Sequence, residues 1–354
     1  MIVIFSQFVC ELQAKSCAKK VITKIVFIMK STNVGIIGLG VIGKRMAKNM
    51  VIHPKFRVIG GYDVNENKRS EFKHECKGIK VVSTAEELLS NPKLDLLYVG
   101  TPPASHAEYV KWAVEKKLKI FCEKPLGIDE DQSHELIEIV KFNKTFNAVN
   151  FVYASAPAAD AAKDYISSGE IGDPVGVEIN LAFSCWPRKW QADATWLGES
   201  KEGGFMREVG SHFLYLSYRL LGIPKWAATP LISRPSPKSA ETLFQGICTI
   251  DDIPISINGF VGGKLNDIIE WRLRGTRNSL RIKNWYSLER QGNIDWEPLL
   301  IGDQLLPQTA YMAQLDRLAD QLNKGNLLLP DFYDAFIIQK LVEDGLRNSK
   351  ELRK

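Results

Sequence analysis

Apolar positions along this chain follow two different rhythms. In the first half, short apolar runs at residues 33–37, 57–62, 80–82, 94–100 and 119–122 are separated by stretches with helical spacing. Residues 94–100 are almost continuously apolar, as a strand covered on both faces requires. Helices are predicted over residues 44–51, 84–90 with Ser83 or Thr84 as cap, and 107–117. Strands that alternate with helices imply a parallel sheet. After residue 150 the rhythm changes. A helix at 158–167 and a turn at 169–174 lead into a strand at 174–181. Further strands are predicted at 242–250, 253–260, 268–274 and 279–283, each alternating in and out, so the sheet has one covered face. Between them, Met206, Val209, Phe213, Leu216 and Leu220 recur at helical spacing within residues 203–222. Helices at 309–323 and 331–348 end the chain.

The first strand runs into GLGVIG, made of Gly38, Leu39, Gly40, Val41, Ile42 and Gly43. Each glycine has a physical role in a phosphate-binding turn. Gly38 permits the tight turn, Gly40 lets backbone approach a pyrophosphate, and Gly43 lets helix and strand pack closely. The helix that follows presents free N–H groups and a positive dipole end to phosphates. The second strand ends in Asp63, 20 residues past Gly43, where a dinucleotide-binding unit needs its ribose-binding acid. A carboxylate there accepts from a ribose 2′-OH and repels a 2′-phosphate, so the reading favours NAD over NADP. The fold class is therefore α/β, with a Rossmann domain over residues 30–150 and a second domain over 151–354.

Charge and cysteines narrow the partners. Net charge is +5, but Lys15, Lys19, Lys20 and Lys24 against Glu11 put +3 in residues 1–28, leaving +2 for the rest. That excludes a nucleic-acid surface. The six cysteines form no CxxC pair and no metal spacing, consistent with free thiols in the cytoplasm and no metal. Residues 1–29 form a leader without the charged start or cleavage site of a signal peptide, and without the roughly 20 apolar residues of a membrane span. It reads as an over-extended start, with Met29 as initiator, and its removal is expected to leave folding intact.

Chemistry collects at strand ends, where open parallel sheets bind ligands. The strand at 94–100 stops at TPPASH, so the backbone of Thr101 and Pro102 is expected to edge the cofactor, and His106 either joins them or bonds backbone at the start of the helix. The strand at 119–122 ends in Glu123, Lys124 and Pro125, placing Lys124 at the nicotinamide end. Glu208 and His212, four apart, share a helix face. An imidazole titrates near working pH and suits removal of a hydroxyl proton, while a lysine steadies developing negative charge. The loop CWPRKWQADATW carries Trp186, Arg188 and Trp190, whose rings stack on sugars and whose guanidinium binds hydroxyls or carboxylates.

Taken together, GLGVIG with Asp63, TPPxxH, Glu123-Lys124-Pro125 and Gly203-Gly204…Gly210-x-His212 resemble the Gfo/Idh/MocA oxidoreductases, a family named after glucose–fructose oxidoreductase and inositol dehydrogenase. The resemblance runs from Asn33 to about Asn348. It implies a second domain on a large, mostly antiparallel open sheet that binds substrate and drives oligomerisation. It implies a bound nicotinamide dinucleotide contacting Glu123 and Lys124, with Lys124 as active-site lysine and His212 as catalytic histidine. Glu208 stands where the family usually has Asp. Tyr153 stands where an arginine is common, and with Arg207 it joins the expected substrate shell. The implied activity is hydride transfer between NAD, or less readily NADP, and a sugar, polyol or cyclic sugar-like carbon. An apolar outer sheet face is expected to pair in a homodimer or homotetramer. No nucleic-acid or membrane partner is expected. Two other readings stay open: an NAD-dependent glycosidase, which would cleave glycosides without net NADH, and a dinucleotide-sensing regulator, which would not need both Lys124 and His212.

Overall fold

The computed structural model describes residues 31–352 apart from Leu265. The leader therefore lies outside the described residues.

Strand β1 (Thr32–Ile37) is buried along its last four residues and runs into helix α1 (Val41–Ile52). Strand β2 (Phe56–Tyr62) pairs parallel to it, and helix α2 (Glu66–Glu75) follows, capped by the Asn65 side chain. Helix α3 (Ala85–Leu89) is capped by Thr84, whose hydroxyl accepts from Glu87 N–H at 3.2 Å. Strands β3 (Leu96–Val99), β4 (Lys119–Cys122) and β5 (Asn147–Val149) complete a parallel sheet of order β2-β1-β3-β4-β5. Helices α4 (His106–Glu115) and α5 (Glu130–Phe142) join them. The strand expected at 80–82 is reduced to one bridge, Val81 to Gly61. It lies along the outer edge of β2, held there by Gly61 N–H to Lys80 O at 2.9 Å and Val82 N–H to Gly61 O at 3.0 Å.

Helix α6 (Pro157–Ser167) leads to strand β6 (Pro174–Phe183), which sits at the centre of a second, ten-stranded sheet. On one side of β6 lie β11 (Ile268–Gly275), β12 (Ser279–Lys283), β13 (Ser287–Gln291) and β14 (Trp296–Pro298). On the other lie β10 (Ile253–Val261), β9 (Leu243–Ile250) and β8 (Leu231–Ser233), then β15 (Lys350–Glu351), with β7 (Lys225–Trp226) paired to β9. Most pairs are antiparallel; β6–β10 and β8–β15 are parallel. The inward residues of β6 and β11, Val177, Ile179, Leu181, Phe183, Ile269, Trp271 and Leu273, form core beneath helix α7 (Ser211–Leu221). Trp271 donates its indole N–H to Ser217 Oγ of α7 at 3.0 Å, which fixes the helix over the sheet.

The outer face differs from the apolar surface expected. Alternation brings Glu178, Glu270, Arg272, Arg274, Arg281, Lys283 and Glu289 onto it, tied by contacts such as Arg272–Glu270 at 2.7 Å and Arg274–Glu178 at 2.5 Å. Trp296 lies over Arg281 and Arg272. Apolar exposure is limited to residues such as Ile247, Phe260 and Ile268.

Two closing helices return to the site. Helix α8 (Pro307–Lys324) starts with Pro at its first turn and ends at Gly325 in left-handed conformation. Helix α9 (Phe332–Arg347) is capped by Asp331 and packs on α5 of the first sheet.

Trp271→Ala is expected to destabilise the protein by about 3–5 kcal/mol through cavity formation, and Ser217→Ala by about 1 kcal/mol. Urea unfolding followed by circular dichroism measures both. Equal losses would mean that the hydrogen bond, rather than indole packing, anchors α7.

Candidate active site

The glycine turn has the shape a dinucleotide needs. Gly38 has φ +92°, and a Cβ there would sit 2.5 Å from the Gly100 carbonyl. A Cβ on Gly43 would meet Gly38 O at 1.8 Å, so only glycine allows α1 to lie this close to β1. Gly40, the N-cap of α1, faces open space and has no side-chain cap, leaving the N–H groups of Val41, Ile42 and Gly43 available to phosphate oxygens. Asp63 Oδ2 accepts from Leu39 N–H at 2.7 Å and Oδ1 from Asn65 N–H at 2.9 Å. The carboxylate is thus tethered to the turn with lone pairs left for a ribose hydroxyl. Arg69 binds the carbonyls of Asp63 and Val64, so its charge is engaged behind the acid. These residues fit a nicotinamide dinucleotide.

The ends of β3 and β4 are stitched together by His106. It is fully buried, with Nδ1 2.9 Å from Pro125 O and Nε2 2.8 Å from Thr101 O. Burial pulls its pKa down, and a neutral ring donates to one of these carbonyls. One nitrogen donates to backbone and the other is closed off by a second carbonyl, so His106 shapes the Thr101-Pro102 turn and the Lys124–Pro125 turn instead of reaching a ligand. The Lys124–Pro125 peptide is cis. Thr101 Oγ1 is buried without a partner among the described residues. Glu123 points into the interior, where Tyr98 O–H and Asn150 Nδ2 both donate to Oε1, the latter at 2.5 Å. Burial pushes its carboxyl up from the usual range.

Lys124, 9% exposed, donates to Glu208 Oε2 at 2.5 Å and to Glu208 O at 2.9 Å. Glu208 thus pairs with Lys124, not with Arg207 or Arg219. It lies in a π-turn, Met206–Gly210, immediately before α7. Wide turns of this kind recur at functional sites. The other carboxylate oxygen, Oε1, accepts from Gln191 Nε2 at 3.1 Å, and Gln191 Oε1 accepts from Arg188 Nε at 2.8 Å. His212 stands one turn further along, 6% exposed, edge-on to Phe151 and Trp285. Its Nδ1 has no partner among the described residues. Burial first, then the charges of Lys124 and Arg188, holds its pKa well below the ordinary imidazole range. The ring is therefore neutral, with an uncommitted nitrogen.

Helix α9 holds both halves of this arrangement. Gln339 donates to Gly127 O at 2.9 Å and accepts from Ser133 O–H at 2.8 Å, fixing the turn after Lys124. Glu343 takes Arg207 of the π-turn in a bidentate pair at 2.6 and 2.8 Å. Arg207 also donates to Ser200 O and Gly203 O, so its donors go to the scaffold and not to a substrate. Tyr153 is likewise buried, tilted against Phe213 and stacked beside Trp285, with its hydroxyl enclosed. Neither fits the expected substrate shell. Arg188 lies between Trp186, Trp190 and Phe183, and Arg45 of α1 approaches Trp190 from the dinucleotide side. Trp186 donates to Leu197 O at 2.9 Å. Gln191, Trp285, Tyr98 and Asn150 were not foreseen from sequence. Only Gln191 left a signal, as a polar residue three after Arg188 in the tryptophan loop.

Comparison with known proteins locates this arrangement. Residues 32–151 match the model of the GFO_IDH_MocA oxidoreductase family, NAD-binding Rossmann fold. The Bacillus subtilis (strain 168) protein named "Uncharacterized oxidoreductase YrbE" is 32% identical over 142 residues, 40% of this chain and 41% of that protein. The scyllo-inositol 2-dehydrogenase (NAD(+)) of the same organism is 30% identical over 141 residues, 40% of this chain and 41% of that protein. The chain thus spans about two fifths of the length of these curated relatives. In fold the likeness is broader. The structure of KijD10, a 3-ketoreductase from Actinomadura kijaniata with NADP and TDP-benzene, superposes with TM-score 0.77 at 17% identity, over 91% of this chain and 99% of that one. Over residues 32–151, this chain carries an NAD-binding Rossmann domain of the Gfo/Idh/MocA oxidoreductase type.

Proposed function

We propose that this protein is an NAD-dependent dehydrogenase or reductase acting on a CH–OH carbon of a sugar, polyol or cyclic sugar-like substrate. One observation carries the reading: a neutral His212 beside a Lys124–Glu208 pair at a strand end of a dinucleotide-binding sheet. The nicotinamide supplies a hydride acceptor or donor. The chain's own groups handle the proton. His212 takes it from the substrate hydroxyl, and Lys124 holds the same oxygen and stabilises the charge that develops. Glu208 keeps the ammonium aimed while Gln191 keeps Glu208 aimed. The division into residues 30–150 and 151–354 follows the two sheets, the first of which ends at Val149.

The buried free thiols Cys76, Cys122 and Cys248 support a cytoplasmic setting. No described helix is long and apolar enough to cross a membrane. The outer sheet face, with Ile247, Phe260 and Ile268 exposed among ion pairs, supports self-pairing into a homodimer or homotetramer.

Lys124→Ala and His212→Ala are each expected to lose at least about a hundredfold in kcat while retaining NADH binding. Lys124→Ala also leaves Glu208 unpaired, so its melting temperature falls, whereas Lys124→Arg recovers the melting temperature without recovering rate. Because His212 is depressed, its reactive neutral form persists into acid. The acid limb of kcat/KM for alcohol oxidation should therefore lie below the ordinary imidazole pKa of about 6.5, and should vanish in His212→Ala. An acid limb above that value would remove His212 as the base. For the cofactor, Asp63→Ser should narrow the preference for NADH over NADPH in fluorescence titration; tighter NADPH binding by the unaltered protein would overturn the assignment. Light scattering at micromolar concentration should give a dimer or tetramer, and a monomer would remove the self-pairing.

A further inference from the structure

Arg188 is a buried cation with unused donors. It is 8% exposed, and burial pulls its pKa down. Among the described residues no carboxylate lies within ion-pair distance of it. Its Nε is bonded to the neutral side chain of Gln191, and neither terminal nitrogen donates to protein. Glu208 and Asp267 act on it only through space, and Arg45 opposes them. The walls around it are aromatic: Trp190 at 4.7 Å, Trp186 at 5.6 Å and Phe183 at 5.7 Å from the guanidinium carbon. Stacking offsets part of the cost of desolvation but satisfies none of the in-plane N–H groups. Such a group is stable when a ligand completes it.

Position says which ligand. Arg188 is joined through Gln191 to Glu208, and through Glu208 to Lys124, so it stands in the same polar cluster as the proposed reacting groups. Beside the neutral imidazole stand two cations, Lys124 and Arg188, and only Lys124 is paired with a carboxylate, Glu208. A carboxylate on the substrate, with two parallel oxygens, matches the fork of donors left on Arg188. We infer that the substrate is a sugar acid, or a cyclic polyol acid, whose carboxylate docks on the Nη1 and Nη2 edge of Arg188 while the hydroxyl to be oxidised lies between Lys124 and His212. This rests on the dehydrogenase reading above and narrows its substrate class.

The test uses matched pairs with the full-length protein and NAD: D-glucose with D-glucuronate, D-galactose with D-galacturonate, and D-glucose 6-phosphate as the other anion. The acid of at least one pair should exceed its neutral partner by about 10- to 100-fold in kcat/KM, the range of one charged hydrogen-bonded contact. Arg188→Gln should collapse that ratio toward one, chiefly through KM, and Arg188→Lys should restore part of it. Equal or better turnover of the neutral sugars, with a ratio unmoved by Arg188→Gln, overturns the inference but leaves the dehydrogenase reading standing. Preference for the phosphate overturns it as well. If nothing is turned over, the activity reading fails, and the inference is read by binding. Glucuronate or galacturonate should then quench the fluorescence of Trp186 and Trp190 saturably in the NADH-loaded protein, and not in Arg188→Gln. Absence of quenching, or quenching unaltered by the substitution, overturns it. Loss of NADH affinity in Arg188→Gln would assign the guanidinium to the cofactor and overturn it too.

Discussion

The contact between the Lys124 ammonium and Glu208 sets the terms for the site. One partner ends a strand of the first sheet; the other sits in the turn before the helix that covers the second. Neither charge has much water around it, and removing one partner of such a pair typically costs about 3–5 kcal/mol. The two halves of the chain are therefore energetically committed to one mutual placement. That placement sets the end of β4 against the turn that opens into α7.

Buried ion pairs are weak stabilisers unless their geometry is fixed from outside. Here α9 fixes it by touching both sides, Gln339 on the turn after Lys124 and Glu343 on Arg207. Arg207 and Glu343 are separated by 136 residues in sequence. Hence an arginine that looks available for substrate is committed to the scaffold, whereas Arg188 has, among the described residues, only aromatic rings and an amide as close neighbours.

Local signals made the dinucleotide half readable. The glycine spacing, Asp63 and the strand ends all obey short-range rules, and β1 to β4 lie within a few residues of where apolar runs place them. Helix α5 was passed over even though Asp129 caps it and Ser133, Leu136 and Val140 mark its buried face. Its sequence, EDQSHELIEIVKF, is polar enough that the stripe is narrow. Strands β13 to β15 are too short for alternation to show. Motif position and family resemblance point His106, Tyr153 and Arg207 toward ligands, although a backbone role for His106 is also legible from its place after a proline turn. The partners they meet instead, Pro125, Trp285 and Glu343, are all distant in sequence, so no local pattern names them. The charged outer face was legible, since Glu178, Arg272 and Arg281 alternate with the core residues, but exposure was inferred from openness of the sheet and not from that alternation.

The π-turn at Met206–Gly210 has an evolutionary consequence. Such a turn amounts to one residue beyond the regular helical count, so a single-codon deletion within it could restore ordinary α-helix. Each residue of an α-helix advances about 100° around its axis, so that deletion would swing Glu208 away from Lys124 while leaving α7 and its seat on Trp271 in place. The glycine turn that receives the dinucleotide would be untouched. A lineage could thus break the Lys124–Glu208 contact in one step and keep both sheets folded.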